Sequence, residues 1–307
     1  MRMLTYLIFG LSFSMLYINP IQGVEFREVF VEVEGANIFC KVIGEGDPIV
    51  ILHGGPGLAH DYLIPGFLKL AETNLLVFYD QRGTGLSTGE INKDTMRTDF
   101  FVKDLESLRK AFNFNQMILI GHSFGVFLSV NYALNYPERV SKLIAINSAP
   151  LSTDGFVEYG WRSMRNQKGE AKELSAIEMS PEFIAGEAHV LERYMRLAAK
   201  GSLYDPKKIE LINFPTSLKR FYDYQKVLGL FSDIMLRKFD LFDSLRCFQF
   251  PVLIMFGVAD SMPFTASQKM QENIPNSKLI IFEKSGHYIP MEQPEEMIEL
   301  IQSFLFE

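Results

Sequence analysis

Cysteine, tryptophan and net positive charge are scarce in this chain. Of its 307 residues two are cysteine and one is tryptophan. So few cysteines exclude a disulfide-built scaffold. Cys40 and Cys247 lie in or beside apolar, strand-like runs, and both are expected as buried free thiols. Neither has a histidine arranged around it, so neither is a candidate nucleophile. A formal net charge of −7, with no basic stripe interleaved with aromatics, argues against a nucleic-acid partner. No HExxH, CxxC or comparable ligand cluster occurs, so no metal and no cofactor are expected. The glycine-rich run His53-Gly54-Gly55-Pro56-Gly57 lacks the Lys-Ser/Thr ending of a phosphate-binding loop, which weakens a nucleotide reading. What remains is a chain that is 48% hydrophobic and long enough to bury a large core.

An extended apolar run, Leu4 to Ile18, stands near the N-terminus. It follows the positive Met1-Arg2-Met3 and precedes the turn-prone Asn19-Pro20-Ile21-Gln22-Gly23. This is the pattern of a secretory signal peptide over residues 1–23, cleaved near Gly23. The run is short for a spanning helix. The expected location is therefore extracytoplasmic, periplasmic or secreted, and an uncleaved N-terminal segment would be the route to membrane association.

The most informative stretch is Gly121-His122-Ser123-Phe124-Gly125. The strand-like Met117-Ile118-Leu119-Ile120 precedes it, and Val126 to Leu134 continues it with the apolar content of a buried helix. A serine two places from a glycine on either side, at a strand-to-helix turn, is a nucleophile elbow. The helix that starts there directs its positive end toward the place where an oxyanion forms. Upstream, the strand-like Pro48 to Leu52 runs into His53-Gly54-Gly55-Pro56-Gly57. Pro56 has no N–H, so Gly55 is the expected oxyanion donor of that loop, paired with the N–H of Phe124. His53 is read as structural.

A base and an orienting acid must come from elsewhere. His122 adjoins Ser123, and neighbouring side chains on a sharp turn diverge. His60 and His189 are read as helix or surface residues. His287 follows the strand-like Lys278 to Phe282, within a loop containing Ser285-Gly286, and suits a mobile imidazole. The preceding strand-like run, Pro251 to Phe256, leads through Gly257-Val258-Ala259 to Asp260. Asp260 would hold the imidazole tautomer while Ser123 attacks a carbonyl through an acyl-enzyme.

These residues, together with Asp80-Gln81-Arg82-Gly83-Thr84-Gly85-Leu86-Ser87, resemble an α/β-hydrolase, and within that fold the proline iminopeptidase group of serine peptidases. The likeness runs over roughly residues 25 to 307. It implies removal of an N-terminal proline or similar residue from a small peptide. A carboxylesterase or other acyl hydrolase with the same three residues is the alternative, and a non-catalytic ligand-binding protein is a third reading. Several members of the group carry a glutamate directly after the aspartate, where it helps bind the substrate amine; here that residue is Ser261. A carboxylate for the amine must then come from the cap, whose acids Glu178, Glu187 and Glu192 could bind it, with Glu187 and Glu192 as the candidates. Asp80 and Arg82 are read mainly as partners shaping the rim.

The rhythm of strands and helices fits that fold. An opening hairpin, Glu25–Val33 with Asn37–Val42, is followed by strands at 49–53, 75–79, 117–121 and 142–147, with helices at 60–72 and 98–113. Strand–helix alternation implies a mainly parallel sheet flanked by helices. The alternation stops from about Pro150 to Arg246, then resumes. The expected organisation is a core of residues 24–150 and 247–307, with an inserted helical cap at 151–246 carrying Phe156, Tyr159, Trp161, Phe183, Tyr194, Phe221, Tyr222 and Tyr224. Ser180-Pro181-Glu182 reads as the start of a helix.

Overall fold

The computed structural model describes residues 11–12, 26–166, 169–214, 217–235 and 237–307. The expected signal peptide lies outside the described residues, apart from the pair Leu11–Ser12. Strands run in the order β1 (Leu11–Ser12), β2 (Arg27–Val33), β3 (Ala36–Ile43), β4 (Asp47–Leu52), β5 (Asn74–Tyr79), β6 (Met117–His122), β7 (Val140–Ile146), β8 (Val252–Gly257) and β9 (Ser277–Phe282). They form one sheet ordered β1-β2-β3-β5-β4-β6-β7-β8-β9. β4 to β9 are mutually parallel, and β1, β2 and β3 complete one edge antiparallel.

The parallel strands are apolar on both faces because helices cover both. In β4, Ile49 and Ile51 join the core on one side while Val50 and Leu52 join the other. One layer holds α2 (Thr98–Ala111), α3 (Phe124–Asn135) and α9 (Phe264–Asn273). The other holds α1 (Ile64–Phe67), α10 (Ile289–Glu292) and α11 (Pro294–Phe306). The helix expected over 60–72 is instead α1 between two 3₁₀ turns, His60–Leu63 and Leu68–Glu72. Pro65 and Gly66 interrupt it, and Gly66 sits so close to Pro290 that a Cβ would lie 2.6 Å from its carbonyl oxygen.

β5 and β6 lie on opposite sides of β4. The order reverses there, so a crevice opens at the carboxyl ends of the strands. Between β7 and β8 the described chain is helical: α4 (Thr153–Asn166), α5 (Ala171–Glu178), α6 (Pro181–Ala185), α7 (Ala188–Lys200) and α8 (Leu218–Met235). Ser180 caps α6 as expected, its Oγ accepting the Phe183 N–H at 3.2 Å. Among the described residues no helix is long and apolar enough to cross a membrane. No group of three or more His, Cys, Asp or Glu among them is arranged to hold a metal. Cys40 is buried in β3, but Cys247 is exposed, which corrects the expectation of two buried thiols. It ends a 3₁₀ turn, Phe242–Cys247, whose apolar anchors are Phe242 and Leu245.

Candidate active site

Ser123 stands between β6 and α3 with φ 56° and ψ −120°, a conformation that costs a non-glycine residue about 1–3 kcal/mol. Three backbone hydrogen bonds hold it. Ser123 N–H donates to the Ile146 carbonyl at 3.0 Å, and its own carbonyl accepts from Val126 N–H at 2.9 Å and Ala149 N–H at 3.1 Å. The turn also needs space beside it: a Cβ on Gly125 would collide with the Leu52 carbonyl oxygen. α3 can therefore begin against the end of β4 only with glycine at that position.

Asp260 follows β8 and is buried, and His287 follows β9. His287 Nδ1 lies 3.0 Å from Asp260 Oδ1 and 2.9 Å from Oδ2. The carboxylate is oriented by two further donors, Asn147 Nδ2 on Oδ2 at 2.7 Å and Met262 N–H on Oδ1 at 2.9 Å. His287 and Ser123 line one cavity of about 250 Å³. Among the described residues no hydrogen bond joins Ser123 Oγ to His287. Gly54 and Gly55 line the same cavity. Gly55 has φ +129°, a conformation that favours glycine. Neither the Gly55 N–H nor the Phe124 N–H has a partner among the described residues, so both are free to donate. His53 is buried; its Nδ1 is 2.8 Å from the Gly54 carbonyl and its Nε2 accepts the Gln81 N–H at 3.1 Å.

Glu187 and Glu192 do not reach this cavity, which corrects their assignment to the substrate amine. Glu187 is exposed and lies 3.5 Å from His189. Glu192 is held by Arg196 one turn on, at 2.7 Å, and faces a different cleft. Among the described residues that line the cavity beside Ser123, none is Asp, Glu, Lys or Arg. Its polar lining includes five tyrosines, Tyr62, Tyr159, Tyr194, Tyr224 and Tyr288, beside Ser163, Ser202 and Gln225. Of the eight cap aromatics named from the sequence, Tyr159, Tyr194 and Tyr224 are among the described lining residues. Phe183 and Phe221 pack against the Tyr194 ring, Phe156 packs on Phe239, and Trp161 is 70% exposed.

Three residues at the site escape a reading of motifs. Asn147, at φ 48° after β7, orients Asp260. Tyr62 links Gly54 to His122. Glu292, fully enclosed, accepts from Tyr204 N–H and Asp205 N–H on Oε1, and from Gly286 N–H and Ser285 Oγ on Oε2. It thereby ties the loop before His287 to the segment after α7. His60 is not a surface residue: it is buried with Nδ1 2.7 Å from Asp80 Oδ1. Asp80, held down to about 2 by His60 and by the Leu86 N–H, and Arg82, paired with Asp104, are buried in the fold, and neither is among the described residues lining the cavity.

Two enclosed histidines make the fold acid-sensitive. Burial lowers His53 to about 4 and His122 to about 3, from an ordinary 6.5. Between pH 6.5 and 4 the unfolded chain therefore binds protons at these positions that the folded chain does not. Their contribution to stability is complete above pH 6.5 and is lost as pH falls, at up to roughly 3 kcal/mol per pH unit for the pair. Urea midpoints measured at pH 7 and pH 4.5 should differ strongly in favour of pH 7. Equal midpoints would contradict the neutral, enclosed state of both rings.

The alpha/beta hydrolase fold family matches residues 47–294. A proline iminopeptidase from Saccharolobus solfataricus is 29% identical over 92% of this chain and 93% of that protein. The crystal structure of a proline iminopeptidase from Mycobacterium smegmatis superposes with a TM-score of 0.66 at 20% identity, covering 91% of this chain and 97% of that one. An esterase from Exiguobacterium antarcticum superposes at 0.64 with 24% identity, covering 91% and 99%.

Proposed function

The chain belongs to the α/β-hydrolase fold family, and on that premise we propose that it is a serine hydrolase releasing a small N-terminal residue, proline or one like it, from a peptide. The observation that carries the chemistry is the seating of His287 Nδ1 on both oxygens of Asp260, in the cavity that Ser123 lines at its strained turn. With Nδ1–H given to Asp260, Nε2 of the neutral ring is the free base. Ser123 Oγ attacks the carbonyl carbon as its proton passes to His287 Nε2. The resulting oxyanion takes hydrogen bonds from Gly55 N–H and Phe124 N–H. His287 then gives the proton to the leaving amine, leaving the acyl group on Ser123. Water deprotonated by His287 hydrolyses that ester and restores the serine. The Ser–His hydrogen bond closes when substrate fills the cavity, as catalytic hydrogen bonds commonly tighten only in the complex.

The substrate reading is supported by the HGGPG and DQRGTGLS runs and by similarity to proteins named proline iminopeptidase. A cavity of about 250 Å³ suits a small residue. In this reading the cationic amine rests against tyrosine hydroxyls and ring faces, a contact worth up to about 2 kcal/mol when desolvated. The acid-free wall also favours a second reading, an esterase for neutral acyl groups, since an unpaired buried ammonium costs several kcal/mol. Rates on proline p-nitroanilide, on its N-acetyl form and on short p-nitrophenyl esters separate the two. The peptidase reading expects the acetylated amide to be at least about a hundredfold slower, because acetylation removes the charge and adds bulk. Equal rates on both amides, or activity confined to esters, would assign the esterase and leave Ser123, Asp260 and His287 in their roles.

A further inference from the structure

His122 is enclosed beside Ser123, and the proposed chemistry makes no use of it. Both ring nitrogens are nevertheless engaged. Nε2 lies 2.7 Å from the His287 carbonyl oxygen, and Nδ1 lies 2.7 Å from the Tyr62 hydroxyl. A carbonyl can only accept, so Nε2 carries the hydrogen. The ring is neutral, because burial and the neighbouring His287 lower its pKa to about 3, and Nδ1 is then an acceptor. The Tyr62 proton must point at Nδ1. That leaves the phenol oxygen to accept the Gly54 N–H, which it does at 2.7 Å. Every proton in the row is thus assigned: Gly54 N–H to Tyr62, Tyr62 O–H to His122, His122 Nε2–H to the backbone of His287.

We propose that Tyr62 and His122 are positioning residues that lock the loop bearing the oxyanion donor to the loop bearing the base, on either side of Ser123. The proposal rests on the serine-hydrolase reading and adds two residues to it. At one end, fixing the Gly54 N–H orients the strand-end turn that delivers Gly55. Space there is tight: a Cβ on Gly54 would lie 2.9 Å from the Tyr62 hydroxyl oxygen and 3.0 Å from Ser123 Cβ. At the other end the His287 backbone is held on both sides, its N–H by the Ser202 carbonyl at 2.7 Å and its C=O by His122. A rotation of that peptide swings the imidazole off Asp260. The row is a single directional path, so removing either side chain breaks the link between the two loops and frees the loop that side chain held.

The test measures kcat per titrated serine, using a fluorophosphonate to count competent sites, on p-nitrophenyl acetate and proline p-nitroanilide. Tyr62→Phe keeps the ring and removes both hydroxyl bonds; His122→Leu keeps the bulk and removes both imidazole bonds. Each is expected to lower kcat on whichever of the two substrates the wild type turns over by about ten- to a hundredfold with KM within about threefold, since displacement of reacting groups by about 1 Å has that effect. The double variant should lose far less than the product of the two, as members of one network do. His122→Gln offers an amide acceptor and donor at the same branch point and should restore most of kcat. A purely structural role would lower Tm and the number of titrated sites while leaving kcat per site unchanged. That result in both single variants, with wild-type turnover still dependent on Ser123, overturns the proposal alone. Turnover that survives in Ser123→Ala overturns the serine-hydrolase reading beneath it.

Discussion

Ser123→Ala is expected to lower kcat by at least about a thousandfold while the protein folds and melts as before. The size of the loss follows from the proposed mechanism, in which no other group takes up the acyl chain. Retention of the fold follows from how Ser123 is held. All three of its hydrogen bonds are made by backbone atoms, which alanine keeps. The positive φ of 56° strains alanine and serine alike, so the turn gains no new penalty. Oγ has no hydrogen-bond partner among the described residues, so its removal orphans no donor or acceptor. Initial rates on proline p-nitroanilide and p-nitrophenyl acetate, with Tm alongside, decide the matter. An unchanged kcat at unchanged Tm would remove Ser123 from the reaction.

Much of the site was readable because a parallel sheet orders its loops. Residues directly after β4, β6, β8 and β9 must emerge at one edge, so Gly55, Ser123, Asp260 and His287 could be placed together from their position after strand-like runs. Residues that meet them from elsewhere carried no such signal. Asn147 finds Asp260 across 113 residues, Glu292 finds Tyr204 across 88, and Tyr62 finds His122 across 60. In each case the chain shows an ordinary polar residue, and only the completed packing shows that it is enclosed and bonded. His60 opens a helical turn, as expected, but its burial was hidden for the same reason, since its partner Asp80 follows the next strand. Glu192 is different: Arg196 stands four residues on, and the i,i+4 pair was visible in the sequence. A carboxylate already matched on its own helix is a poor candidate for a substrate amine, and the structure places it in a separate cleft.

The elements between β7 and β8 reach the site through backbone as much as side chain. Arg162 of α4 donates to the Asp260 and Ser261 carbonyls, both at 3.1 Å. Asn166 Nδ2 meets Ser261 Oγ at 2.9 Å, and Ser202 Oγ lies 3.3 Å from the same atom. Ser261 therefore fastens the helical segment to the loop bearing Asp260. A longer side chain at that position would have to remake the two contacts of Ser261 Oγ, while the Arg162 bonds to backbone would stand.

Asp260→Asn is expected to reduce kcat by about ten-thousandfold, with Ser123 untouched, because it reverses the imidazole tautomer. All three groups around the Asp260 carboxylate are donors: His287 Nδ1–H, Asn147 Nδ2 and the Met262 N–H. A carboxylate accepts from all of them. An asparagine has one oxygen and a donating NH₂, which must meet a donor wherever it points. The Met262 N–H cannot change its character, and Asn147 can relieve the conflict only by turning its amide. The imidazole has a cheaper escape, moving its proton to Nε2 and leaving Nδ1 to accept from the new amide. A protonated Nε2 cannot take the Ser123 proton. The loss should appear in kcat and kcat/KM together, since substrate binding does not involve this group. It should also be partly relieved at high pH, where hydroxide can remove the serine proton without the ring. A kcat within tenfold of wild type at neutral pH would show that His287 does not depend on Asp260 for its tautomer, and the search for the orienting acid would have to begin again.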